Sequence, residues 1–183
     1  GLFTVYFMAS LLGWIVLALQ QGSSAPMPLD VPAVASIING YLLFLAAGQR
    51  SGNYSGRFLL GTVCLAGCLS VFFLTPRSMY MLQSGLTGVF FASTGLLFAQ
   101  RARNRHNIGD MIIALAALLM LASASFTCWQ IFAADDLQLA RVVSFGAHTW
   151  TFTLISIGFL ASVLLDYRKH LSHLATEDAL TGL

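Results

Sequence analysis

The chain is predicted to be an all-α polytopic membrane protein: a six-transmembrane-helix bundle whose last helix continues into the cytoplasm as a coiled coil. Three observations predict it. Of 183 residues, 57% are hydrophobic, more apolar surface than one soluble core of that size can hide. Only 9% are charged, against about 25% in an average soluble domain. The apolar residues fall in runs of about 20, the helix length that crosses a hydrocarbon layer about 30 Å thick. The period-2 alternation in pieces of about ten residues that marks an outer-membrane barrel is absent.

The spans are read at about 2–20, 31–48, 58–76, 80–100, 111–133 and 145–166. The first ends where Gly22-Ser23-Ser24-Ala25-Pro26-Met27-Pro28 offers no helix-compatible run. Short polar connections over 48–57 and 101–110 bound the second and fourth. Thr75-Pro76-Arg77 is expected to stop the third sharply, because proline lacks the N–H that a continuing helix needs. Gly1 is not an initiator methionine, so N-terminal sequence is expected to precede it.

Basic residues orient the bundle. Arg50, Arg57, Arg101, Arg103, Arg105, Arg168 and Lys169 all fall on one side of a six-span arrangement, leaving Arg77 and Arg141 on the other. The positive-inside rule puts the richer side, and with it both chain ends, in the cytoplasm. The net charge of +2 is too small to suggest a nucleic-acid partner. Asp, Glu, Lys and Arg are missing from the middle of every span, which argues against a proton-coupled transporter. No pair of matching Gly/Pro-interrupted spans marks an inverted repeat either.

From the sixth span outward, Leu160, Leu164, Tyr167, Leu171 and Leu174 recur at spacings of four and three, the a/d pattern of a coiled coil. Two heptads are also compatible with a stripe that faces lipid or the bundle. Asp166 with Arg168 and Lys169 is expected to anchor this helix at the headgroup level. The stripe runs into Leu171, Leu174, Ala175, Asp178, Leu180, Thr181, Gly182 and Leu183. This string, L-x-x-L-A-x-x-D-x-L-T-G-L, resembles the opening of the GGDEF domain, the diguanylate cyclase fold, over about the last dozen residues.

The resemblance implies a parent enzyme that condenses two GTP into cyclic di-GMP with Mg²⁺, GTP and Mg²⁺ being bound in a catalytic domain beyond Leu183. It implies a homodimer, since two GTP-loaded sites must meet, and a bacterial inner-membrane location. Residues 1–166 would then be a transmembrane sensor domain, 167–178 a signalling helix and 179–183 the first residues of the GGDEF domain. In that family Asp178 and the turn after it guide the chain into the catalytic domain. No catalytic residue falls within these 183. The alternative is a ligand-binding membrane receptor module with a degenerate or non-cyclase output.

Candidate sensing groups share one depth in the outer half: Trp14, Gln83, Cys128, Trp129, His148 and Trp150. One reading is an aromatic belt at the membrane interface. The other is a pocket for a lipophilic small molecule between spans four to six, with apolar walls and a few orienting polar groups. His148 is the one histidine within a span, whereas a bis-histidine haem needs two. Cys64 and Cys68, one turn apart, could offer soft ligands to Cu(I) or Zn, or pack as small hydrophobes; no metal or cofactor is expected in this region. Asn39 is expected to bond to a neighbouring helix. Ser84, Gly88 and Ala92 form a small-xxx-small stripe that suits an intramolecular seam or a dimer face.

Overall fold

A computed structural model describes residues 1–22 and 30–181. Regular structure among the described residues is all helical: α1 (Leu2–Gly22), α2 (Val31–Ser51), α3 (Arg57–Leu69) with a 3₁₀ turn over Ser70–Phe72, α4 (Pro76–Arg105), α5 (Ile108–Trp129) with a π-helical turn over Gln130–Ala134, and α6 (Leu137–Thr181). The breaker segment from Ser23 to Pro28 lies outside the described residues.

Local chemistry sets the boundaries. The Asp30 carboxylate accepts from Ala33 N at 3.2 Å to cap α2, and Gly52 ends that helix at φ 72°, in the left-handed region. Thr75 caps α4, with Pro76 in its first turn, where the missing N–H has no helical partner to lose. Pro76 therefore opens the fourth helix, and the third ends earlier than its sequence suggests. Its last turn tightens as the Ser70 hydroxyl donates to Gly67 O at 2.6 Å. Arg57–Phe72 covers about 24 Å at about 1.5 Å per residue.

α1, α2, α4, α5 and α6 follow one another around the bundle, each packed on the next, and α3 rests outside against α2 and α4. The ring closes through aromatic side chains: Phe3 of α1 stacks on Phe159 of α6 at 4.2 Å, and Phe7 meets Phe152 edge-on at 5.7 Å. By contrast, α4 and α5 approach through small residues, since a Cβ on Gly95 would lie 3.1 Å from Ala117 Cβ and one on Gly88 3.3 Å from Ala124 Cβ. The small-residue stripe is thus an intramolecular seam. α5 and α6 are closer still: a Cβ on Gly109 would collide with the backbone of Gly158 and Ser162.

Among the described residues, four helical segments are long and apolar enough to cross a membrane: Val31–Ser51, Pro76–Arg105, Ile108–Ala134 and Leu137–Ser172. Leu2–Val16 and Arg57–Phe72 are shorter apolar helices. The outer surface is densely apolar, with Phe58 77%, Phe132 80% and Phe73 85% exposed, the kind of surface that a lipid environment covers.

α6 continues without interruption from the bundle through Tyr167 and Leu174 to Thr181. Leu160, Leu164, Tyr167, Leu171 and Leu174 are all exposed in the single chain. Asp178, Leu180 and Thr181 belong to this helix by backbone; Gly182 and Leu183 lie outside the described residues.

Candidate functional site: a cavity at one end and a charge cluster at the other

Near the Asp30 end of the bundle, α1, α2, α4 and α6 line a half-open cavity of about 650 Å³. α1 contributes Tyr6, Ser10, Gly13 and Trp14; α2 Ser36, Asn39 and Gly40; α4 Tyr80, Gln83 and Phe91; α6 Arg141, Ser144, Phe145, His148, Thr151 and Phe152. The space follows from the packing. α1 and α6 are held apart by rings, without the glycine contacts that draw α5 and α6 together. Trp14 and Phe145 meet edge-on at 5.0 Å and form part of the wall.

Polar groups line the cavity in linked sets. Asn39 Nδ2 donates to Ser10 Oγ at 2.7 Å across α1 and α2, and Ser10 Oγ donates to Tyr6 O. Asn39 thus makes the interhelical bond expected of it, yet its Oδ1 is buried without a partner. His148 Nδ1 lies 2.8 Å from Ser144 O. That carbonyl can only accept, so Nδ1 carries the hydrogen and Nε2 of the neutral ring is left as an acceptor. The Thr151 hydroxyl is likewise buried without a partner. The side chain of Gln83 makes no hydrogen bond among the described residues.

Of the six residues singled out in the sequence, Trp14, Gln83 and His148 share this cavity. The other three do not reach it. Cys128 sits 3.8 Å from Met81 O on α4. Trp129 is 56% exposed, its ring 5.9 Å from that of Phe126. Trp150 is 67% exposed on the far side of α6. The pocket therefore lies between the first, second, fourth and sixth helices and leaves out the fifth. Sequence reading reached the α1 wall only through Trp14 and missed the α2 wall; the mid-helix Ser10 and Asn39, polar groups in apolar runs, were the available signal. Cys64 and Cys68 are free thiols on α3, away from the cavity, and the described residues contain no cluster of three or more potential metal ligands.

At the opposite end four helices are tied together by charge. Arg101 of α4 pairs with Asp110 of α5 and Asp166 of α6, both at 2.7 Å. Arg50 of α2 pairs with Asp166 at 2.9 Å, lies 3.7 Å from Asp110, and holds its guanidinium 5.5 Å from the Phe159 ring. Two guanidinium groups face two carboxylates, so the cluster is formally neutral, and Asp110 is fully buried within it.

Asn107 completes the cluster. Its Oδ1 caps α5 by accepting from Gly109 N at 2.9 Å, while its Nδ2 donates to Asp166 Oδ1 at 3.1 Å and to Ser162 O at 3.3 Å. Asp166 thus faces inward to Arg50 and Arg101. Its carboxylate is held by arginines of two neighbouring helices and stays 29% exposed. The Lys169 ammonium donates to Arg105 O at 2.8 Å. Sequence offered one clue to the cluster: Asn107, three residues before Asp110, has the spacing of a helix N-terminus.

Comparison with known proteins returns no matching protein family, curated protein or solved structure.

Proposed function

We propose that this chain is the input module of a dimeric diguanylate cyclase in a bacterial inner membrane. It crosses the bilayer six times, keeps both ends in the cytoplasm, senses a lipophilic small molecule in the cavity and passes the signal through α6. The cyclase assignment rests on the GGDEF-like string at the end of the chain.

The observation that best supports the sensor part is the continuity of α6. One helix lines the cavity with Ser144, His148 and Thr151, supplies Ser162 and Asp166 to the charge cluster, and carries the exposed apolar stripe as far as Leu174. A rigid rod transmits a tilt or rotation imposed at one end to the other. Paired helices translate such motion into discrete packings. The charge cluster makes α6 move with α2, α4 and α5 at the cytoplasmic end, so the cavity walls and the stripe are mechanically linked.

The test is turnover. The full-length protein in lipid nanodiscs, given GTP and Mg²⁺, is expected to form cyclic di-GMP, read by mass spectrometry. A folded, dimeric protein that forms none would sink the enzyme reading and favour a receptor with another output.

A further inference from the structure

We infer that the cavity binds an uncharged amphiphile whose hydroxyl head meets His148, Gln83 and Asn39, and whose apolar body lies between the rings of Trp14, Phe145 and Phe152. Binding follows from the cavity alone. Only its consequence, a change in output, rests on the sensor reading above.

Depth decides the charge of the ligand. Asn39 lies nine residues beyond the Asp30 cap and His148 seven beyond Arg141. At about 1.5 Å per residue these groups stand about 10–14 Å along their helices, toward the middle of a hydrocarbon layer about 30 Å thick. A charged head there costs several kcal/mol unless it is paired. The charged residues on the wall are Asp30 and Arg141, of opposite sign and at the helix starts. Their charges sum to zero, so the wall carries no net charge that would favour an ion of either sign.

The hydrogen-bonding groups at depth favour a head that donates. Asn39 Oδ1 is a buried acceptor without a partner, and His148, its Nδ1 committed to Ser144 O, offers Nε2 as the acceptor of its ring. The Gln83 amide both donates and accepts, so it serves a hydroxyl or a carbonyl. The remaining wall is mostly aromatic and aliphatic, and a volume of about 650 Å³ falls within the range of small-molecule sites, roughly 300–1,000 Å³. Glycine keeps the space open: a Cβ on Gly13 would meet only Ala35 Cβ, at 3.8 Å, so a longer side chain there enters the cavity without disturbing the backbone.

The experiment uses the full chain in nanodiscs carrying Trp129→Phe and Trp150→Phe, so that Trp14 reports on the cavity. The probes are ω-bromo alkan-1-ols of graded length and the matched ω-bromo carboxylates, whose bromine quenches indole fluorescence at contact. At least one alkanol is expected to quench saturably and to bind about tenfold more tightly than its carboxylate. His148→Ala or Gln83→Ala should weaken it about tenfold, the loss of one to two neutral hydrogen bonds. Gly13→Leu should abolish saturation while the protein stays folded by circular dichroism.

Tighter binding of the carboxylates, lost in Arg141→Gln, would overturn the assignment in favour of an anionic ligand. Quenching by both series that never saturates and is unmoved by Gly13→Leu would mean simple partition into the bilayer, and would overturn it too. Cyclic di-GMP output is measured in parallel on the full-length protein in the same nanodiscs with the same alkanols. Saturable alkanol binding with unchanged output upholds the site and removes the sensor reading, whereas output without binding removes the site alone.

Discussion

Asp110 shows how much one side chain can hold. It is fully buried at the start of α5, between two arginines from other helices and the Ser162 hydroxyl. Removing it leaves two guanidinium groups facing one carboxylate, and an uncompensated buried charge costs about 3–5 kcal/mol. Asp110→Ala is therefore expected to lower stability by about that much in chemical denaturation of the detergent-solubilised protein. Arg77 and Asp135 form the comparison. Their 2.6 Å pair is 54% and 77% exposed, and exposed pairs are worth about 0–1 kcal/mol. Asp135→Ala should accordingly change stability by less than about 1 kcal/mol. Equal effects would show that burial does not set the strength of these pairs. Neither partner choice was legible in the sequence, where Asp110 and Asp166 read as polar residues at span ends.

At the scale of the element, α6 contains two glycines with opposite roles. Gly158 lies against Gly109 O at a distance that leaves no room for a side chain, whereas a Cβ on Gly146 would meet nothing within 4 Å. Gly158→Ala is expected to destabilise the α5–α6 pair by about 1–3 kcal/mol through overpacking. Gly146→Ala should be neutral or stabilising by up to about 1 kcal/mol, because alanine favours helix. Thermal melts of the two variants check the contrast, and a shared sign would refute the packing argument. Further along, Leu171 is half exposed on the apolar stripe. If α6 pairs two copies as proposed, Leu171→Asp is expected to abolish dimerisation and uncouple the membrane module from output, read by crosslinking and cyclic di-GMP assay. Unchanged dimerisation and activity would rule out the stripe as the coupling element.

For the whole molecule, the unequal distribution of basic residues is a statement about topology. The connection after α2 should face the cytoplasm and the one before α6 the outside. In a background with Cys64, Cys68 and Cys128 replaced, Asp136→Cys should react with a membrane-impermeant maleimide in intact cells. Asn53→Cys should react only after the membrane is opened. The reverse pattern would place the tail of α6 outside and refute the proposed cytoplasmic output. The neutral charge cluster suits the same arrangement, since it closes the end of the bundle from which α6 departs and holds four helices together there.

The class of the molecule was readable from the chain itself, because hydropathy, run length and capping residues are local properties. They predicted helices, and four of the resulting segments have the length and composition of membrane spans. Packing decided the rest. The cavity draws on Ser10, Asn39, Gln83 and His148, and the cluster on Arg50, Arg101, Asp110 and Asp166. These residues are separated by long stretches of chain and meet only because rings hold α1 and α6 apart while glycines draw α5 and α6 together. Which helices touch depends on side-chain shape across the bundle, a quantity that no window of sequence contains.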